Sequence, residues 1–498
     1  MKRVFSSPIL PLLAGACLRM LFVLKFPAGS GDSALYEQLA TNWLKHGKYA
    51  MDIAGQPVPV DLRMPGYPAF LALISALTGR TDVSARPAVM LAQVLVDLAC
   101  CVAIAALAAL LVALCSRQAH LRRAFLVGLW LAALCPFTAN YVAVPLTEVW
   151  ATFLTAVALL ILVMVAAEVR GEWPERPRHD WIEEKGHWRL VALGGFVVGV
   201  GALFRPETPL LLVTTLILLG FWMWWRGETK RFVLSAVLMT CACALPLVPW
   251  TLRNALTLHE FQPLAPKDAM LPGEVTPTGF MAWERTWLFR VRDFYLVPWK
   301  LNDEEIRLED LPGRAFDTPE ERERVAAALE QYNNELTWTK EEDAVFAQLA
   351  RERTARHPLR TYLWIPLRRA VRIWFTPRIE LLPVSGHVFP LGYMREEDPV
   401  DQEVTLLFFS VNVAYVGLGL WGAWKLWKCR RARAALVVLG SYIFVRTVFL
   451  TTMETPEPRY VLECFPALIA LGAQVLAGRG RMGRVDIQDT ERRGMKMG

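Results

Sequence analysis

Residues 86–115 read RPAVMLAQVLVDLACCVAIAALAALLVALC, a run whose only charged side chains are Arg86 and Asp97. A helix crosses a hydrocarbon core with about 20 consecutive apolar residues, and this run supplies them with length to spare. The same ruler finds about ten segments along the chain: 8–26, 86–115, 124–143, 147–167, 190–205, 208–225, 232–252, 403–427, 434–452 and 459–477. The 498 residues are 54% hydrophobic and 20% charged, with 19 tryptophans. That balance excludes an ordinary soluble protein of this length and predicts an all-α polytopic membrane protein of about 10 spans, range 9–12. Pro68 to Gly79 is apolar but too short to cross alone, and reads as an interfacial or re-entrant piece. The N-terminal stretch lacks a small-residue cleavage site and reads as a retained span.

Lysine and arginine set the orientation, because short basic loops stay in the cytoplasm. With Lys2 and Arg3 inside, SRQAHLRR, the loop from Arg170 to Arg189, WRGETKR, KLWKCRRAR and the tail GRGRMGR also fall inside. The net charge of +7 is spread over these loops, so no basic face for nucleic acid is present. Four regions follow: an N-terminal transmembrane module, 1–252, with a first outer loop at 27–85; an extracytoplasmic helical region, 253–402; C-terminal transmembrane helices, 403–478; and a basic cytoplasmic tail, 479–498. Thr318-Pro319-Glu320-Glu321 and Thr339-Lys340-Glu341-Glu342 are capping boxes that open two helices in the outer region. LRTYLWIPLRRAVRIWF, residues 359–375, reads as an interfacial helix with Arg368, Arg369 and Arg372 near lipid phosphates. The nine cysteines lie almost wholly in apolar runs, without the spacing of a disulfide framework or a zinc site.

An ionisable group inside a span costs about 2.5–3.5 kcal/mol, so each one needs a reason. Here they crowd toward the outer ends: Arg19 in the first span, Glu148 opening the fourth, Arg205 and Glu207 between the fifth and sixth, Arg253 closing the seventh, Arg446 in the ninth, and Glu454, Glu457, Arg459 and Glu463 around the tenth. Asp97 lies nearer the middle. Taken singly, Arg19 and Arg446 read as snorkelling cations, Glu148 as a helix-end charge, and Asp32 as the N-cap of a helix from Ser33 to His46 that Gly47 stops. Taken together they describe one outward cavity. Guanidiniums bind phosphate oxygens bidentately, and a carboxylate beside them suits a general base. The pair of features fits group transfer from a lipid phosphate.

The ordered motifs GDSALYEQLATNWLKHGKY, RMPGYPAFLALI, PLTEVW, GALFRPETPLLL, PWTLRNALTLHEF and EPRYVLECFPALIAL resemble those of C-type glycosyltransferases that use polyprenyl-phosphate sugars, in particular the protein O-mannosyltransferase and lipid A aminoarabinose transferase group. The resemblance implies the C-type glycosyltransferase fold, with amphipathic juxtamembrane helices in the first outer loop. It implies Asp32 as catalytic base, Glu148 beside it, and Arg63 with the Pro65–Pro68 turn shaping the first outer loop. Arg19, Arg63, Arg205, Arg253 and Arg459, with Tyr460, become candidates for the donor phosphate or sugar, and Glu207, Arg446 and Glu457 are further candidates. Ser33 stands where many members carry a second acid after the aspartate, so the second carboxylate is missing from that position.

The implied activity is inverting transfer of a sugar from a polyprenyl-phosphate donor, undecaprenyl phosphate in bacteria, to a hydroxyl or amine of a glycan, lipid or protein. The implied location is the cell (inner) membrane with the site facing the periplasm. No cofactor is required by that chemistry. A divalent cation on the phosphate is left open, no ligand cluster being visible. The competing readings are a transporter or flippase of lipid-linked saccharide, a non-catalytic subunit, and an oligosaccharide ligase.

Overall fold

The structure, a computed structural model, describes residues 7–115, 120–172, 180–266, 268, 270–386, 388, 398–455 and 457–477, with backbone alone for 180–186. Lys2, Arg3, part of the SRQAHLRR loop and the tail 479–498 therefore lie outside the described residues. In chain order the elements are α1 (Ile9–Lys25), α2 (Gly31–His46), a hairpin of β1 (Ala50–Ile53) and β2 (Gln56–Pro59), α3 (Gly66–Thr78), α4 (Arg86–Leu114), α5 (Leu121–Ala133), the short α6 (Pro136–Ala139), α7 (Glu148–Val169), α8 (Asp180–Ala202), α9 (Leu210–Trp224), α10 (Thr229–Ala244) and α11 (Val248–Thr257). There follow α12 (Thr278–Glu284), α13 (Val291–Leu296), α14 (Pro319–Glu335), α15 (Lys340–Arg356), α16 (Ile365–Trp374), α17 (Pro399–Trp427), α18 (Arg433–Thr452) and α19 (Phe465–Ala477).

Among the described residues six helical segments are long and apolar enough to cross a membrane, and α5 with the bent turn after it makes a seventh. The other three sequence segments form helices too: α1 at 17 residues, α9 at 15, and the apolar part of α8 from His187 to Ala202. Packing sorts these helices. The apolar windows of α7 and of the segment Pro458–Ala477 are 72% and 89% buried within the protein, against 17% for Thr229–Thr257 and 22% for α17. A helix apolar all round belongs at a bundle centre or against lipid, so α7 and α19 form the core and α10, α11 and α17 the rim. Gly419 and Gly422 let α17 approach α19 at Leu468 and Leu471 more closely than a Cβ would permit. Pro246 and Pro249 break the seventh segment into a 3-10 turn between α10 and α11.

Described parts of the loops read as cytoplasmic meet at one end of the bundle. Arg123 donates to the Leu476 carbonyl (3.2 Å), Arg226 to that of Val169 (2.6 Å), and Cys115 is bonded to Cys429. These two cysteines are 314 residues apart in sequence, a separation no spacing rule reads.

At the opposite end, residues 280–350 build a separate aromatic core from Phe280, Trp283, Trp287, Phe294, Tyr332, Trp338 and Phe346. Helices α14 and α15 start at Thr318 and Thr339 as their boxes predict, although Glu321 accepts from the Asp317 N–H rather than from the cap residue. Along the interfacial stretch Leu359, Tyr362, Trp364, Leu367 and Val371 are exposed. Arg369 corrects the expectation for its face: it is buried and donates to the carbonyls of Leu288 (2.7 Å), Thr451 (3.2 Å) and Met453 (2.9 Å). The hairpin is a further departure from an all-α reading; it turns on Ala54 and Gly55, both with positive φ, which suits a tight two-residue loop.

Candidate active site

Each charged residue of the site is fixed by its local backbone. Ser30, not Asp32, caps α2, exchanging hydrogen bonds with Ser33, while Gly47 closes the helix in the left-handed conformation as expected. Asp32 thus sits in the first turn, where the helix dipole favours an anion. The Ser33 hydroxyl donates to the Pro145 carbonyl (2.9 Å), tying the start of α2 to the segment that leads into Glu148, the first residue of α7.

Arg63 enters from the hairpin side. The Tyr49 hydroxyl donates to its carbonyl (2.8 Å), and Gly66 N–H donates to Leu203 O (2.7 Å). A Cβ at Gly66 would lie 2.6 Å from that oxygen, so the RMPGYP turn needs its glycine to dock beside the segment that carries Arg205. Arg459 lies in the 3-10 turn Pro458–Cys464, and buried Arg378 donates to the Pro458 carbonyl (2.7 Å) just before it.

The side chains then join end to end. Asp32 bridges Arg63 (3.0 Å) and Arg459 (3.0 Å); Arg459 also reaches Glu457 (2.8 Å) and Glu148 (3.5 Å). Arg205 holds Glu148 (2.7 Å), Glu207 (3.5 Å) and, more distantly, Glu463 (3.9 Å), and donates to the Thr147 hydroxyl (3.1 Å). Arg446 pairs with Glu463 (2.5 Å) and Glu207 (3.5 Å). The Tyr460 hydroxyl donates to Glu457 (3.0 Å), and its ring faces the guanidiniums of Arg205 (4.9 Å) and Arg459 (5.3 Å). Four arginines therefore meet five carboxylates: Arg63, Arg205, Arg446 and Arg459 against Asp32, Glu148, Glu207, Glu457 and Glu463. Glu148 Oε2 and Arg459 Nε are buried without a hydrogen-bond partner among the described residues.

Two carboxyls outside the spans differ in proton affinity. Burial raises that of Asp32, but Arg459 and Arg63 outweigh it and hold the group below its ordinary value. Glu457 moves the other way, its burial outweighing Arg459, with the Asp32 charge adding to the rise.

Nine of the eleven residues singled out in the sequence meet in this network. Arg19 does not. It is fully buried among α1, α4 and α5, pairs with Asp97, and donates to the carbonyls of Gly15 (3.0 Å) and Ala133 (2.7 Å). Neither snorkelling nor phosphate binding describes a side chain so enclosed. Arg253 also stands outside the network, donating to the carbonyls of Tyr49 (2.5 Å) and Val60 (2.8 Å), which steadies the hairpin that presents Arg63. Glu463 is the member the sequence reading did not select; an acid within a span demands a cation, and Arg446 was the one available. No group of three His, Cys, Asp or Glu among the described residues is arranged to hold a metal ion.

No protein-family model matches the sequence, and no curated protein matches it. Solved structures do. The Archaeoglobus fulgidus oligosaccharyltransferase is similar in its apo form (TM-score 0.49, 12% identity, 94% of this chain and 50% of that one). It is similar also when tethered with an acceptor peptide containing the NVT sequon (TM-score 0.48, 13% identity, 94% and 49%). ArnT from Cupriavidus metallidurans bound to undecaprenyl phosphate matches with TM-score 0.36, 13% identity, and coverage of 93% and 77%. Both are C-type glycosyltransferases, the group that the sequence motifs resemble. This chain spans about half the length of the oligosaccharyltransferase, and no residue role passes across at such identities.

Proposed function

We propose that this protein is an inverting glycosyltransferase that moves a sugar from a polyprenyl-phosphate donor to a hydroxyl or amine acceptor at the outer face of the membrane, with Asp32 as base. One observation carries this reading: the Asp32 carboxylate lies between two guanidiniums, 3.0 Å from each, at the end of an apolar bundle. An incoming phosphodiester competes for those guanidiniums. As Arg63 and Arg459 turn to the phosphate, Asp32 loses the cations that depress its basicity and accepts the acceptor's proton. The acceptor oxygen or nitrogen bonds to the anomeric carbon from the face opposite the phosphate, while the anomeric C–O bond breaks and its electron pair leaves on the lipid phosphate. Arginine stabilises that charge, so no strong general acid is needed. Glu457 supplies a second carboxylate beside Asp32 through their shared Arg459.

The test is release of polyprenyl phosphate by the purified protein across a panel of polyprenyl-phosphate sugars. Native chain should consume at least one donor, and Asp32→Asn should lower turnover about 10²-fold or more, the contribution of a positioned base. Unchanged turnover in Asp32→Asn removes Asp32 from the reaction. Absence of donor consumption by the native chain over the whole panel overturns the transferase reading.

A further inference from the structure

Two planar peptide units meet at the Arg459 Cα, and their orientations fix the direction in which its side chain leaves the backbone. The first is held by its carbonyl: Pro458 O accepts from Arg378 Nη1 (2.7 Å). The second is held by its N–H, which Tyr460 donates to the Glu457 carbonyl (3.2 Å). Arg446 holds the unit after that, its Nε donating to Tyr460 O (3.0 Å). Arg446 also answers Glu463 (2.5 Å). The hydrogen bonds of Arg378, by contrast, run to neutral acceptors: Pro458 O, the Ile373 carbonyl (3.0 Å) and Asn412 Oδ1 (3.0 Å).

Arg378 is costly to keep in that place. It is 1% exposed, and its φ of 56° lies in the left-handed region that favours glycine. Among the described residues it makes no ion pair; Glu380 is near enough to act on its charge but accepts from the Tyr141 hydroxyl (2.9 Å). The rings of Phe465 (5.0 Å) and Phe137 (6.0 Å) lie against the guanidinium. A buried cation needs its donors answered, and here the answers come from three elements at once: the last turn of α16, α17, and the turn that carries Arg459. Asn412 completes the knot by donating to the Trp374 carbonyl (2.7 Å). A strained backbone kept at a buried cation, one contact from the ionic network, points to a use beyond packing.

We propose that Arg378 is a positioning residue for the transfer: by holding the Pro458 carbonyl it aims the Arg459 guanidinium at Asp32 (3.0 Å) and Glu148 (3.5 Å). Its part in the transfer rests on the transferase reading; the clamp on Arg459 does not. Asp32 reports the clamp. Burial raises its proton affinity, and Arg459 and Arg63 outweigh burial; Tyr36, Tyr460 and Glu457 are the other titratable groups that act around it. Of the two cations on Asp32 only Arg459 follows a carbonyl that Arg378 holds. Loosening the clamp therefore raises the pKa of Asp32.

A water-soluble carbodiimide takes the protonated carboxyl, so its rate of labelling Asp32 in the detergent-solubilised full chain, followed by peptide mass spectrometry from about pH 3 to about pH 6, gives that pKa without catalysis. Arg378→Gln should raise the midpoint by about 1 unit, the lower end of a neighbouring charge's effect. Arg378→Lys, whose ammonium replaces a planar fork by a point charge, should raise it by less. Arg459→Gln should raise it too, and adding Arg378→Gln to that variant should change nothing more. Gly419→Ala, which crowds α17 against Leu468 of α19, should lower the melting temperature and leave the midpoint in place. An unchanged midpoint in folded Arg378→Gln overturns the proposal, as does an equal rise in Gly419→Ala or a further rise on top of Arg459→Gln. If Arg378→Gln does not fold, Arg378→Lys decides by the same measure, and an unchanged midpoint there overturns the proposal. In turnover, the acid limb of kcat/KM should move with the midpoint in Arg378→Gln. A midpoint that moves while the native chain consumes no donor would count against the transferase reading alone.

Discussion

Replacing Arg63 by glutamine removes one of the two cations that keep Asp32 ionised, and its effect can be sized from the geometry. Two unit charges about 4 Å apart interact by about 4 kcal/mol at an effective dielectric constant of about 20, or about 3 pH units at about 1.36 kcal/mol per unit. The side chains of Arg63 and Asp32 are 33% and 27% exposed, and solvent screening brings the expected rise to about 1–2 units, within the span of measured effects of a neighbouring charge. The sign follows from which form is active. Asp32 works as the carboxylate, present above its pKa and lost as pH falls through it; a depressed pKa therefore extends activity toward acid. The acid limb of kcat/KM, which reports the free enzyme, should lie below the ordinary carboxylate range in the native chain and move up about 1–2 units in Arg63→Gln. Arg63→Lys should stay near the native limb. If the donor takes over the guanidiniums, the native kcat limb, which reports the donor-bound state, should also lie above the native kcat/KM limb. The assay is donor consumption from pH 3 upward in a buffer series of constant ionic strength. Coincident limbs in the native chain and Arg63→Gln would refute the reasoning.

Three further outcomes follow from the packing. Arg446→Met leaves Glu463 buried without its closest cation and should cost about 3–5 kcal/mol, while Arg446→Met with Glu463→Leu should recover most of it; thermal unfolding of the detergent-solubilised chain measures both. Gly66→Ala forces a methyl against Leu203 O at 2.6 Å, an overpacking expected to cost about 1–3 kcal/mol and to lower kcat by displacing Arg63. After oxidation of the detergent-solubilised chain, a non-reduced peptide map should recover Cys115 and Cys429 as one linked peptide, and Cys115→Ser should abolish it.

The apolar helices were legible because a run of apolar residues announces itself without reference to any partner, and among the described residues six or seven of them have the length that a bilayer imposes. The stop at Gly47 and the box at Thr339 were legible for a similar reason: capping is satisfied within four residues. Reading failed wherever satisfaction comes from far along the chain. Asp32 looked like a cap because an acid before a helix usually is one, whereas Ser30 takes the cap and leaves the carboxylate for Arg459, 427 residues away. Arg19 reads as a snorkelling cation because its partner, Asp97, lies 78 residues on in another helix. Arg369 shares a basic run with its neighbours, and its capture by backbone carbonyls from α18 is a tertiary fact.

The pairings also decide how the cluster can act. With four cations against five anions it is no ready-made phosphate site, and a donor can enter only by displacing a carboxylate. The buried members resist: the side chains of Glu148 and Glu463 are each 3% exposed, those of Glu207 and Glu457 each 13%, and stripping such groups of their arginines strands a charge in low dielectric. Asp32, 27% exposed and at a helix N-terminus, is the acid that gives up its cations at least cost. On the proposed chemistry the base is thus released by the arrival of the leaving group, and a donor without a charged phosphate would leave Asp32 locked between Arg63 and Arg459.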